Sequence, residues 1–165
     1  MTPKRIGFVG FDGVTASHLV GPADAFSAAA LDDGYSNRIP CYQIHVIGLS
    51  SACCRAESGM IFTPEETLEA VSEWDTIVVP GGKGLRKPEV CERIADWVLM
   101  NANQTRRIAC IGTGIYGFAP TGLLDGPSRS APGSLPMTGL KKVGYGVGCA
   151  NSLRIDAGRV LSVGV

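Results

Sequence analysis

The sequence predicts an α/β protein: a parallel sheet with helices on both faces, in three layers. Three observations predict it. "RIGFVGF" (5–11), "DTIVVPGG" (75–82) and "RRIACI" (106–111) are near-continuous apolar runs of strand length, as expected of strands buried on both faces. Helical patterns alternate with them, which is the arrangement of a sheet built from crossover units. The runs end in Asp12-Gly13, Gly81-Gly82 and Gly112-Thr113-Gly114, at the carboxyl edge where such sheets hold ligands.

Taken in order, 5–11 is the first strand. "GPADAFSAAALDD" (21–33) predicts a helix starting at Pro22 and running through small helix formers. "YQIHVIGLS" (42–50) is a second strand, rich in β-branched residues. "ESGMIFTP" (57–64) reads as a short strand or a hairpin arm. "TPEETLEAV" (63–71) predicts a helix, with Thr63 as N-cap, Pro64 at N1 and Glu65-Glu66 in the first turn. "KPEVCERIADWVLMNANQ" (87–104) is amphipathic, with Val90, Ile94, Trp97 and Val98 on one face. "GIYGFAPTGLL" (114–124) is a small-residue helix constrained by Pro120. Residues 127–149 hold three prolines and five glycines without period and read as loop. "NSLRIDAGRVLSVGV" (151–165) reads as two strands around a turn at Asp156-Ala157-Gly158.

At 165 residues, with 45% hydrophobic and 18% charged residues and zero formal net charge, the chain is expected to form a single domain over 1–165 with a sizeable core. It has neither the composition of a disordered chain nor the clustered basic surface that nucleic acid requires. No secretory signal and no apolar run of about 18 residues occurs, so a cytoplasmic protein without membrane association is expected. The six cysteines are expected as free thiols, since no C-x-x-C occurs and Cys53-Cys54 are adjacent.

Candidate chemistry centres on 106–126. "GTGIYG" (Gly112, Gly114, Gly117) satisfies G-x-G-x-x-G, but it does not follow the first strand, and Asp125 falls too early for the ribose-binding acid. The same strand-to-helix break resembles a nucleophile elbow, yet its apex, Gly112, has no side chain. Cys110 lies two residues earlier, inside the strand, and reads as an inert buried thiol. Thr113 is placed either to offer its hydroxyl to a ligand or to cap the following helix. His18 is placed either to contact a ligand at the sheet's carboxyl edge or to serve as a surface or capping residue. His45 reads as structural. No metal-ligand spacing and no Ser/His/Asp set emerges, and no cofactor is expected.

"IGFVGFDGVTASHLVGPADAFSAA", "ESGMIFTPEETL", "DTIVVPGG", "RRIACIGTGIYGFAPTGLLDG" and "IDAGRVLSVGV" together resemble, in order, the ThiJ/PfpI superfamily. The similarity is strongest over 5–126. The branch it most resembles is the amino-terminal sensory domain of AraC-type (GlxA-like) transcriptional regulators; isonitrile hydratases are also similar. The resemblance implies a flavodoxin-like, class I glutamine-amidotransferase-like fold, here truncated at the carboxyl end. It also implies a reactive cysteine at the elbow, where this chain has Gly112. The acid of the first loop is matched by His18, and a later histidine by Pro132. What persists is the scaffold of Gly81, Gly82, Thr113 and Gly114, which offers backbone donors to a small polar ligand.

Residues 127–149 depart from the family's texture, as a pair of compensating frameshifts would make them do. The regulators carry a helix-turn-helix after this domain, so this chain alone is not expected to bind nucleic acid. The resemblance therefore implies a non-catalytic sensing and dimerisation domain, a homodimer with a small-molecule ligand at His18, Gly81, Gly82, Gly112, Thr113 and Gly114. The alternatives are a superfamily enzyme (isonitrile hydratase, amidase or glyoxalase-like) and a degenerate remnant of either.

Overall fold

The computed structural model describes residues 2–32, 38–121 and 160–163. The expectations for 127–149, Pro132, Cys149, the turn at Asp156-Ala157-Gly158 and the last two residues lie outside the described residues. The elements, in order, are β1 (Lys4–Gly10), α1 (Ala16–Ala28), β2 (Ala30–Asp32), β3 (Arg38–Pro40), β4 (Tyr42–Gly48), β5 (Cys54–Arg55), β6 (Ile61–Phe62), β7 (Glu66–Thr67), β8 (Thr76–Val79), α2 (Pro88–Asn101), β9 (Arg107–Ile111), α3 (Ile115–Phe118) and β10 (Val160–Val163). Six strands form one sheet in the order β10-β9-β8-β1-β4-β7. Every pairing in it is parallel. Two antiparallel ribbons, β2–β3 and β5–β6, lie outside it.

The chain leaves β1 toward β4 on one side and later returns to β8 on the other. The strand order thus reverses beside β1, and the crevice at the carboxyl ends of β1 and β8 is the expected ligand position in an open α/β sheet. Ile6, Phe8, Val9, Ile47, Ile77 and Val79 in the sheet are almost fully buried. Ile94, Trp97 and Val98 of α2 are buried with them, and Val90 packs against this core half-buried, which is the face the periodicity predicts. Each fully buried side chain of this size contributes about 1.5–3 kcal/mol. Phe26 of α1 makes edge-to-face contacts with Phe8 and Tyr42. Among the described residues no helix is long and apolar enough to cross a membrane.

Two expected helices differ. The first begins at Ala16, not Pro22, and ends at Ala28, not Asp33. An antiparallel bridge between Val14 and Gly82 brings the chain to Thr15, and the first turn closes there through the His18 N–H to the Thr15 carbonyl (3.0 Å). Pro22 therefore falls inside the helix, where it forfeits the bond to the carbonyl four residues back, that of His18. After Ala28 the chain turns into β2 and pairs with β3, a ribbon the sequence did not reveal.

The helix expected over 63–71 is absent; β7 extends the sheet there instead. Glu65 N–H donates to the Val46 carbonyl (3.0 Å) and Leu68 N–H to that of Gly48 (3.1 Å). Arg5, its guanidinium 4.3 Å over the Trp74 ring, pairs with Glu66, which also accepts from Ser72. A helix would leave the β4 edge without these partners and draw Glu66 away from Arg5, so tertiary pairing overrides the capping signals. The hairpin-arm reading of 57–64 holds, since β6 pairs with β5.

Candidate functional site

The site is built where β1, β8 and β9 end. Thr15 N–H donates to the Gly81 carbonyl (2.9 Å) and Gly84 N–H to that of Gly13 (3.2 Å), so the loops after β1 and β8 are stitched together. Gly82 permits this close approach, because a Cβ there would lie 2.2 Å from the Gly13 carbonyl oxygen. His18, in the first turn of α1, is carried across this stitched pair toward the end of β9.

Gly112 has φ +54°, the left-handed conformation that non-glycine residues rarely adopt. The sharp apex expected of an elbow is therefore present, without a side chain on it. The space a side chain would take is filled by His18: a Cβ on Gly112 would meet the imidazole Cε1 at 2.7 Å. Gly81 N–H donates to His18 Nδ1 (3.2 Å) and Gly82 N–H donates to Thr113 Oγ1 (3.0 Å). The Gly81 and Gly82 N–H groups after β8 are thus engaged by the protein's own side chains.

With Nδ1 accepting a hydrogen bond, the neutral imidazole carries its proton on Nε2. Burial lowers the His18 pKa, opposed by the nearby Glu57 carboxylate, so the neutral form prevails at pH 7. Of the residues singled out in the sequence, His18, Gly81, Gly82, Gly112 and Thr113 come together here. The Thr113 hydroxyl accepts from Gly82, and no side-chain cap bond is made at this turn. Gly114 is buried beneath them, with the Val79 carbonyl 2.1 Å from where its Cβ would lie. It allows the bend to pack on β8.

Cys110 is fully buried, and burial pushes its thiol up to about 12, so the thiolate a nucleophile needs is not formed near neutral pH. The five described cysteines are all free thiols. The G-x-G-x-x-G spacing opens a tight 3-10 turn and a four-residue helix, and Gly117 is packed against Leu85. No group of residues suited to a metal ion occurs among the described residues. His45 is buried edge-on to Trp74, with ring centroids 5.5 Å apart, a core position.

Sequence reasoning missed Glu57. Its Oε1 accepts from Lys83 N–H (2.5 Å) and its own N–H donates to the Val14 carbonyl (2.9 Å), which ties the β5–β6 hairpin to both loops. Asp12 does the same for Arg55, accepting its N–H at 2.8 Å. Between them lies a groove of about 490 Å³ lined by Asp12, Gly13, Arg55, Glu57, Ile61 and Lys83, among others. The signal was the acid at the head of "ESGMIFTP", which reads only as a strand or hairpin arm.

This architecture has relatives. The family model described as DJ-1/PfpI matches residues 4–144. The HTH-type transcriptional regulator GbdR of Pseudomonas aeruginosa is 29% identical over 124 residues, covering 75% of this chain and 32% of the regulator. Isonitrile hydratase of Pseudomonas putida is 28% identical over 122 residues, covering 74% of this chain and 49% of the enzyme. The chain thus spans about a third of the one and half of the other. The crystal structure of an AraC family transcriptional regulator from Pseudomonas putida superposes with a TM-score of 0.56 at 21% identity, over 74% of this chain and 63% of that one. The match extends from the first strand through the elbow and beyond, and the chain belongs to the DJ-1/PfpI family.

Proposed function

We propose that the protein is a non-catalytic, small-molecule-sensing and dimerisation domain like that of AraC-type regulators, with its ligand at the carboxyl edge of the sheet beside His18. The observation that carries this reading is the seating of the His18 imidazole over the side-chain-free apex at Gly112. Covalent catalysis at an elbow needs a nucleophile within reach of a base. Here the apex offers none, and the thiol two residues before it is the buried Cys110. What the crevice retains is recognition chemistry: the exposed side of Thr113, a half-buried imidazole, and the charged groove next to them.

A thermal-shift screen of small polar metabolites tests this, with sedimentation for the dimer. A ligand at a hundred times its Kd stabilises the folded state by about 2.7 kcal/mol. At least one compound should raise the melting temperature of the native chain and leave that of His18→Ala unmoved. A chain that sediments as a monomer and responds to no compound would contradict the sensing reading.

A further inference from the structure

Resting on that reading, the hydrogen-bonding state of His18 narrows the class of ligand. Nδ1 is engaged as the acceptor of the Gly81 N–H at 3.2 Å, so the neutral ring's single proton sits on Nε2. Nε2 has no hydrogen-bond partner among the described residues, and the side chain is only half buried. The ring cannot turn over freely to exchange its nitrogens. Its Cε1 is seated against Gly112, and a flip would break the Gly81 bond. The site therefore presents a fixed donor beside the bend and no acceptor on that ring.

The charge around it is balanced. The adjoining groove holds two acids, Asp12 and Glu57, and two bases, Arg55 and Lys83. Each acid has one oxygen held by a backbone N–H. Neither base is among the ion pairs of the described residues. The four charges cancel, so the groove carries no net charge to draw in an ion. Glu57, close enough to act electrostatically on the imidazole, is an acceptor and offers no donor to a carboxylate. It favours an N–H or O–H on the same ligand instead.

We propose that His18 is the specificity-determining residue of this site and that it selects an uncharged ligand bearing an oxygen acceptor, of the carboxamide kind. The ligand's oxygen accepts from Nε2–H, and its N–H lies on the Glu57 side. No bond is made or broken. Cations are disfavoured because the ring presents only its N–H to them, and free carboxylates because Glu57 offers them no donor while Arg55 and Lys83 are balanced by the groove's two acids.

Two measurements on the full chain test this. Long-range ¹H–¹⁵N correlation of the free protein at pH 7 should show His18 as the neutral Nε2–H form. The Nδ1–H form or a charged ring would overturn the inference without any variant being made. Titration with acetamide, acetate and methylammonium, followed at the His18 ring and the Gly81 and Gly82 amides, should give a saturable response to acetamide alone. His18→Phe keeps a ring over Gly112 but removes the donor, and should weaken acetamide about five- to tenfold. An equal response to methylammonium or acetate, an undiminished response in H18F, or no response to acetamide would each overturn the assignment. Those results would leave the sensing reading standing, because it is decided by the wider metabolite screen and by sedimentation.

Discussion

Alanine at position 112 should destabilise the protein in a way that depends on His18. Gly112 sits at φ +54°, and a side chain in that region costs about 1–2 kcal/mol. Its Cβ would also stand 2.7 Å from His18 Cε1, so the ring must swing out and give up the Gly81 bond, a loss of about 1 kcal/mol. Gly112→Ala should therefore cost about 2–3 kcal/mol in all. His18→Ala alone loses only that bond, about 1 kcal/mol. In the double variant the bond is already gone, so the total stays at about 2–3 kcal/mol instead of reaching 3–4, a coupling of about 1 kcal/mol. Urea denaturation of the four proteins, with unchanged m-values, measures it. Costs that add to within about 0.3 kcal/mol would refute the claim that the imidazole occupies the apex.

Other expectations concern the scaffold. Asp75 has its carboxyl pulled down to about 2 by Arg106, which it binds through both oxygens, with further help from Thr76 and Lys4 against some burial. A lowered carboxyl pKa stabilises the fold above the unfolded value near 4. That stabilisation is lost as pH falls from there through about 2. Asp75→Asn should remove about 1–2 kcal/mol at pH 7, allowing for solvent around the half-exposed arginine, and should flatten the acid limb of a stability–pH profile. Ile94→Ala, at a fully buried position of α2, should cost about 2–5 kcal/mol by thermal or urea unfolding. In mass-mapped alkylation of the native protein, exposed Cys53 should label readily and Cys110 only on unfolding; rapid labelling of native Cys110 would contradict the burial described.

The parts of the fold that could be read from sequence are those whose burial is continuous. β1, β8 and β9 are apolar runs because both faces are covered, and α2 declares itself through one apolar stripe. The segment 63–71 could not be read, because its capping residues are those of a helix. Its conformation is decided by Arg5 and the β4 edge, both distant in sequence. The start of α1 was hidden by Pro22, which looks like a first-turn proline and lies mid-helix. At the site, the missing side chain of Gly112 was legible. The histidine that covers it was not: His18 and Gly112 belong to different elements, and no local pattern ties one to the other. Glu57 was hidden for the same reason, since its partners Val14 and Lys83 come from two other loops.

The bend after β9 is proposed to recognise its ligand without making bonds. Steady-state turnover of an isonitrile and of a glyoxal by the purified chain, before and after alkylation of accessible thiols, tests it most directly. Rates should equal those of buffer in both conditions. Sustained turnover that disappears in His18→Ala or on alkylation would contradict it.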